Sequence, residues 1–172
     1  MKKILWMVAL LVAGSLWADE AKSAPASPFA AVESLVGGVW VAPMPGPKDQ
    51  PPLSLELRFA WTENRQSIRF ESAWVRGDKR KAYTDGFYAW NAAKQKLAIF
   101  YTDAGGSLTE GLITPDGDAL VNDLVSTAPD GKAELIQVRL TKNGPDAFTN
   151  AIFLQKDGVW TPFVTVRYER KK

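Results

Sequence analysis

The sequence predicts an all-β protein in which about ten antiparallel strands run up and down and close into a barrel, after one short N-terminal helix. Beyond residue 38, apolar and polar residues alternate along most of the chain, which is the period of a half-buried strand. Asp-Gly or Asn-Gly dipeptides separate several of these segments, and they favour the two-residue turns of β-hairpins. A meander of this kind hides its edge strands best when it closes on itself.

The strands are predicted from this alternation and from the turns between the segments. The clearest example is 53–61, where every odd position is apolar. The later segments 132–141 and 159–170 follow the same rule, and near-regular spacing of turns indicates consecutive hairpins. The predicted strands are 38–42, 53–61, 67–76, 81–91, 96–102, 107–114, 119–127, 132–141, 147–156 and 159–170.

The helix is predicted over residues 28–36. Ser27 is a residue type that caps helices, and Pro28 fits the first helical position. Gly37 then favours the end of the helix, so we expect about two turns.

The first 27 residues are predicted to contain a targeting signal and a linker. Lys2 and Lys3 precede the apolar run 4–13, and Ala18 offers a small residue for cleavage, so residues 1–18 are predicted to be a signal peptide. The run is shorter than the roughly 20 residues that a spanning helix needs. Residues 19–27 are expected to be a disordered linker, and residues 28–172 the barrel domain. The predicted location is the periplasm or the exterior.

Composition excludes several chemistries. The chain has no histidine and no cysteine, which removes Ser-His and Cys-His catalysis, His-ligated haem, thiolate metal sites and disulfides. We therefore expect no metal and no cofactor. Removing Lys2 and Lys3 leaves 19 basic and 19 acidic residues, and a balanced charge predicts neither nucleic-acid binding nor strong membrane binding. The oligomeric state is left open.

Residues 42–52 contain five prolines and cannot form a regular strand. In a barrel this segment lies at one mouth. It is either a stiff surface connection, which we favour, or a lid over the opening.

Gly38-Val39-Trp40 follows the predicted helix and resembles the Gly-x-Trp signature of the lipocalins, members of the calycin superfamily. A basic residue on the last strand, Arg167 or Arg170, is expected to pack across Trp40 as in that superfamily. The succession 35–40, 86–91, 106–111, 130–132 and 160–170 is similar to a family of bacterial calycin-like domains of unknown function, whose members often carry secretion signals. This resemblance implies a β-barrel and no established reaction. Within it, Trp40 and Arg167 are assigned structural roles.

Aromatic residues are the richest candidate site. A barrel of ten strands has room for a ligand, since eight strands already suffice for a small one. Aromatic side chains that face such a cavity would hold an apolar or planar molecule, although for any single ring core packing is the commoner role. The predicted ligand-binding residues are Trp61, Trp74, Tyr88, Trp90, Tyr101, Glu110 and Phe148.

Glu110 shares a strand face with Leu108 and Leu112. If that face is inward, Glu110 is a buried carboxylate that can orient the polar end of a ligand. If it is outward, Glu110 belongs to a weak surface ion pair. Asp85 is a second carboxylate that acid–base chemistry could pair with it.

Three functions remain open at this point. The leading hypothesis is a lipocalin-like barrel that binds a small apolar or amphipathic molecule without transforming it. The second is a closed barrel that acts through its surface on a protein partner in the envelope. The third is a hydrolase or isomerase that uses buried carboxylates, and no catalytic residue is assigned to it.

Overall fold

The computed structural model describes residues 27–171 and shows a closed barrel of ten antiparallel strands with one small helix. The helix α1 spans Ala30–Glu33. The strands are β1 Trp40–Met44, β2 Leu53–Trp61, β3 Ser67–Arg76, β4 Lys79–Asn91, β5 Lys96–Asp103, β6 Leu108–Asp116, β7 Ala119–Thr127, β8 Ala133–Lys142, β9 Ala147–Lys156 and β10 Val159–Arg170.

The topology is the predicted meander. Each strand pairs with the next one along the chain, and β1 pairs with β10 to close the barrel. This closing seam is short, with Trp40 opposite Arg170 and Val41 opposite Glu169. Because successive hairpins alternate in direction, the β1–β2, β3–β4, β5–β6, β7–β8 and β9–β10 connections share one end of the barrel. The helix and the start of β1 lie at the other end.

The predicted strand boundaries are right to within two residues, and five of the ten strands match at both ends, namely β2, β3, β7, β9 and β10. The largest difference is β1, which begins at Trp40 rather than at residue 38. Gly37 and Gly38 have φ values of +85° and +74°, and an extended strand does not adopt positive φ values of this size. It then extends through Pro43, which lacks an N–H. The missing donor is tolerated because β1 contacts β10 only at Trp40 and Val41, so Pro43 lies on an edge.

The helix is shorter than predicted: it has one turn rather than two. The Phe29 N–H donates to Ser27 Oγ at 3.2 Å, but no side chain caps the helix itself. After Glu33, the N–H groups of Leu35 and Val36 bond three residues back, to Val32 and Glu33, so the chain tightens and leaves the α-helical pattern.

The helix and its neighbours close one end of the barrel. Phe29, Val32 and Leu35 are buried, and Trp40 beside them is 1% exposed. The Trp40 Nε1–H donates to the Leu35 carbonyl at 2.8 Å, so this buried indole has its hydrogen bond. A tryptophan, a helix turn and their apolar neighbours therefore fill this end.

The proline-rich segment forms a surface connection. An Arg76 guanidinium nitrogen donates to the Gln50 side-chain oxygen, which ties the segment to the β3–β4 hairpin. Within the described part of the chain, no residue between 42 and 52 lines the cavity inside the barrel. The interpretation as a stiff connection fits this placement better than a lid.

The predicted signal peptide (1–18) and nearly all of the predicted linker (19–27) lie outside the described residues. Among residues 27–171, no helix has the length and apolar character to cross a membrane.

A tyrosine-lined cavity inside the barrel

The inner faces of the strands surround a cavity of about 260 Å³. Its apolar wall comes from alternate positions along the strands, as the period of two requires. The members of that wall are Leu55, Leu57, Phe59, Phe70, Ile99, Leu124, Ile136, Val138, Leu140 and Ile152.

All four tyrosines of the chain line this cavity. They are Tyr83, Tyr88, Tyr101 and Tyr168, and three of them are well buried, whereas Tyr83 is 37% exposed. The exposed ring and Asp103 lie towards the end that carries the β3–β4 and β5–β6 hairpins. This end is therefore the mouth of the cavity, opposite the plug at the helix end.

Gly86 makes room for one of these rings. It faces Tyr101 across the β4–β5 pair, and a Cβ built on Gly86 would meet the Tyr101 Cβ at 2.3 Å and the Phe100 carbonyl oxygen at 2.2 Å. Real Cβ atoms do not approach so closely, so any side chain at position 86 would push the strands apart. Glycine here lets Tyr101 turn into the barrel.

The buried phenols are neutral. Burial raises the pKa of Tyr88, and the neighbouring Tyr101 and Tyr168 rings raise it further. Burial likewise raises the pKa of Tyr168 and of Tyr101, where the Thr109 hydroxyl offsets part of the effect. These three groups keep their protons at neutral pH, so they can donate hydrogen bonds to a ligand but cannot act as bases.

Most other polar groups of the lining bond to one another. The Ser72 and Thr84 hydroxyls lie 2.5 Å apart, and the Thr109 hydroxyl donates to Ser126 Oγ at 2.9 Å. Asn122 donates through Nδ2 to the Val138 carbonyl at 2.9 Å.

Asn150 differs from these residues. Its Oδ1 is buried and accepts no hydrogen bond from any residue in the described range.

Charge is nearly absent from the lining. No lysine or arginine of the described chain lines the cavity, and the sole carboxylate there is Asp103. Asp103 Oδ1 already accepts the N–H groups of Gly105 at 2.8 Å and Ser107 at 3.0 Å, in the turn at the mouth. Apart from Asp103 at the mouth, the cavity is thus lined by neutral polar groups on an apolar wall.

Two of the seven predicted ligand-binding residues lie in this cavity, Tyr88 and Tyr101. Phe148 is fully buried but packs in the plug, with its ring 5.0 Å from Trp40 and stacked on Tyr168 at 4.8 Å.

The three tryptophans predicted to bind the ligand do not line the cavity. Trp61 packs edge-on against Phe29 beside the helix, at 5.1 Å between ring centroids. Trp74 contacts the Tyr83 ring at 5.6 Å, and Trp90 is 38% exposed at the end of β4. Trp61 and Trp90 lie beyond the cavity, towards the helix end of the barrel. Trp74 lies level with the cavity, because it pairs with the lining residue Leu55 across β2 and β3, but it packs on Tyr83 and does not itself line the cavity.

Glu110 faces outward, contrary to the inward alternative. In β6 the buried positions are Thr109 and Ile113, and Leu108 on the Glu110 face is 45% exposed. A shift of one residue exchanges the two faces of a strand. Because Leu108 and Leu112 are apolar, they suggested that their face, which also carries Glu110, is the inward one, and this is wrong. Gly111 was the residue that could have indicated the correct inward face. It lies on that face, where a Cβ would meet the Asp123 carbonyl.

Asp85 is also on the surface. Arg69 donates to its two carboxylate oxygens at 2.9 and 2.6 Å and holds the pKa of Asp85 below its usual value. The pair of buried carboxylates that an enzyme would need is therefore not formed by Asp85 and Glu110.

The assignment of Arg167 to the Trp40 plug is wrong, and Arg170 takes that place. The Arg170 guanidinium lies 4.1 Å from the centroid of the Trp40 ring. Val166 and Tyr168 are buried, so Arg170 continues the inward face, whereas Arg167 points outward and donates to Glu169 at 3.2 Å.

Sequence reasoning missed Tyr83, Tyr168 and Asn150 as parts of the cavity. Tyr83 was hidden by a β-bulge: Ser72 pairs with Thr84, but Ala73 pairs with Ala82, so Tyr83 is the extra residue. Tyr168 and Asn150 could have been found from the alternation of β10 and β9.

No group of three His, Cys, Asp or Glu side chains within residues 27–171 is arranged to hold a metal ion. No known family profile matches the sequence, and comparison with curated proteins gives no match. Among solved structures, the fold is similar to the crystal structure of Rv2717c from M. tuberculosis, with a TM-score of 0.54. The two chains are 14% identical, and the match covers 87% of this chain and 99% of that one. At this identity the likeness extends to the fold alone.

Proposed function

We propose that the protein is a secreted, periplasmic barrel that binds one small, uncharged, apolar or amphipathic molecule in its tyrosine-lined cavity and does not transform it. The observation that carries this proposal is the cavity itself. A ten-stranded barrel can be filled by its own side chains, and this one keeps an open volume that leads to a mouth.

The size of the cavity supports a small ligand. Its 260 Å³ lies between an engineered cavity of about 150 Å³ that admits benzene and the lower limit of about 300 Å³ for pockets that hold drug-sized molecules. A molecule of one or two rings, or a short branched chain, fits that volume. A long acyl chain does not.

The lining supports an uncharged ligand. An anionic ligand such as a carboxylate or phosphate would lose its hydration in the cavity and would find no lysine or arginine in the described lining to pair with. Burial of an unpaired charge is unfavourable. Neutral phenols and aliphatic side chains suit a ring with one or two polar groups.

The plug supports the calycin-like interpretation. A Gly-x-Trp segment opens the first strand after a helix turn, and an arginine of the last strand packs across the tryptophan ring, as the resemblance implies. The secretion part of the proposal rests on the pattern of residues 1–18 alone.

Native mass spectrometry tests the proposal on the mature protein, from residue 19 onward, purified from the periplasm without detergent. We expect an additional mass that is lost on denaturation, or uptake of naphthalene by the apo protein. A clean apo mass together with no uptake of naphthalene would contradict the proposal.

Two adjacent positions of β8 provide the matched variants. Val138→Phe places a ring in the cavity and is expected to reduce naphthalene binding at least tenfold, as a filled site requires. Gln137 lies on the outer face, where it donates to Asp123 at 2.8 Å, so Gln137→Phe should leave binding unchanged. Equal effects of the two variants would place the binding elsewhere.

A further inference from the structure

We propose that Tyr88 and Tyr168 select the ligand: the bound molecule is a neutral ring compound with a carbonyl oxygen, and that oxygen accepts a hydrogen bond from each of the two phenols. This inference rests on the proposed function and names the chemical class of its ligand. Cyclic ketones, lactones and small quinones belong to that class.

Both hydroxyls are open to the cavity. Tyr88 and Tyr168 are 6% and 5% exposed, and both line the wall. The other polar side chains of the wall bond to one another or to the backbone, and in the described part of the chain none of those bonds includes either phenol. Asn150 Oδ1 is the one side-chain oxygen or nitrogen there that has no partner and is also cut off from accessible space. The two phenol oxygens therefore reach the cavity that their rings line.

Aromatic neighbours hold the two phenols in place. The centroid of the Tyr88 ring lies 5.1 Å from that of Phe70 and 6.2 Å from that of Phe59. The Tyr168 ring stacks on Phe148 at 4.8 Å. Because rings packed in this way do not swing towards other partners, each hydroxyl is in position before a ligand enters. Donors that are already ordered lose little entropy on binding.

The two phenols converge from different walls. Tyr88 is on β4 and Tyr168 on β10, and these strands have three others between them on one side of the barrel and five on the other. Burial is the main cause of the raised pKa of Tyr88, and the Tyr101 and Tyr168 phenols add to it, as nearby groups do. Two donors that meet across a small cavity suit one oxygen with two lone pairs, and a carbonyl oxygen has both.

The kind of ligand follows from what these phenols offer. They keep their protons, so a ligand that carried donors alone would leave both O–H groups without an acceptor, which is unfavourable inside a barrel. An anion would accept the same two hydrogen bonds, but no lysine or arginine of the described lining would balance its charge. A neutral carbonyl compound satisfies the phenols and the apolar wall together.

Three probes with the same fused six- and five-membered ring skeleton isolate the polar group. Indane has no polar group, 1-indanone carries a carbonyl oxygen, and indole carries an N–H donor. Their affinities for the mature protein, from residue 19 onward, are measured by isothermal titration calorimetry at neutral pH.

Tyr88→Phe and Tyr168→Phe each remove one hydroxyl and keep the packed ring. We expect each variant to weaken the binding of 1-indanone roughly two- to tenfold, the range of one neutral hydrogen bond, and to change the affinity for indane less than about twofold. The affinity for indole should change less than that for 1-indanone. Tyr83→Phe is the matched control, because it makes the same chemical change at the mouth, where the ring is 37% exposed, and it should keep the affinity for 1-indanone.

Infrared spectroscopy gives a second measurement, to which a change in packing alone does not contribute. Hydrogen bonds weaken a C=O bond, so the carbonyl stretching band of bound 1-indanone should lie at a lower wavenumber in the wild-type protein than in the double variant Tyr88→Phe, Tyr168→Phe. An unchanged band would contradict the two hydrogen bonds.

The outcomes separate the two proposals. If none of the probes binds the wild-type protein, the proposed function fails, and this inference fails with it. If indane binds but neither variant weakens 1-indanone more than indane, the cavity binds ligands and the role of the phenols is wrong. A loss confined to one of the two variants, or an equal loss in Tyr83→Phe, would contradict the paired arrangement.

Discussion

The guanidinium of Arg170 lies over the ring of Trp40, 4.1 Å from its centroid, and thereby joins the last strand of the barrel to the first. The same guanidinium donates to the carbonyl oxygens of Ser34 and Gly37, and its Nε lies 3.2 Å from Asp146. One side chain thus holds the helix end, the first strand and the loop between β8 and β9.

Arg170→Ala is expected to destabilise the fold by about 2 kcal/mol, because it removes a partly buried cation–π contact and leaves carbonyl groups without a donor. Urea unfolding at equilibrium measures the change. Arg167→Ala is the matched control, since Arg167 pairs with Glu169 on the exposed surface and should change stability by about 0.5 kcal/mol at most. Equal losses in the two variants would contradict the assignment of Arg170 to the plug.

Gly86→Ala is expected to lower stability by about 3 kcal/mol or more, since its Cβ would overlap the Phe100 carbonyl and the Tyr101 side chain. The variant should also lose naphthalene affinity, because Tyr101 must move. Gly46→Ala provides the control in the proline-rich segment, where the new Cβ would meet Leu53 at an ordinary 3.6 Å. Thermal unfolding of both variants is the measurement, and a tolerated Gly86→Ala would show that the strands do not approach as closely as described.

Stability is expected to fall above about pH 10, where the phenols of an unfolded chain ionise. The raised pKa values of Tyr88, Tyr101 and Tyr168 mean that the folded protein keeps protons that the unfolded chain releases. Each contributes a loss of about 1.4 kcal/mol per pH unit between the unfolded pKa and its own raised folded pKa, and no loss below the unfolded pKa.

Urea titrations across this range measure the slope, and Tyr88→Phe should reduce it by the share of one proton. Tyrosinate absorbance should appear together with unfolding. If three or more tyrosines ionise near pH 10 while the barrel stays folded, the buried, uncharged interior described above is wrong.

Thr109→Val and Glu110→Gln test the two faces of β6 at neighbouring positions. Thr109 is 2% exposed and lines the cavity, so an added methyl in place of its hydroxyl should tighten naphthalene binding about twofold, with a stability loss of about 1 kcal/mol for the hydrogen bond to Ser126. Glu110→Gln lies on the outer face and should change neither quantity. An effect of Glu110→Gln on binding, with none of Thr109→Val, would reverse the assigned faces.

The fold was predictable because its signals are local. Alternation and turn dipeptides each involve residues that are neighbours in sequence, and β2 was found at both ends from five apolar odd positions. The helix was less predictable: Ser27, Pro28 and Gly37 favoured a longer one, but after Glu33 the N–H groups of the chain bond three residues back, and the helix keeps a single turn.

The site was harder because it depends on parity and on height along the barrel. The alternation of inward and outward positions misleads where a β-bulge adds one residue, as at Tyr83. It also misleads where both faces of a strand carry apolar residues, as at Glu110. Height cannot be read from one strand alone, since it follows from the tilt and register of all ten. Trp61 and Trp90 therefore looked equivalent to Tyr88 in the sequence and lie outside the cavity in the structure.

The separation of tyrosines from tryptophans has a practical consequence. The four tyrosines face the cavity, and none of the five tryptophans in the described residues lines it. The two natural chromophores thus sample different compartments. Selective isotope labelling of tyrosine gives four ring signals, one from each point around the cavity, and the pattern of shifts among them on titration maps the pose of a bound molecule without a crystal or an attached dye.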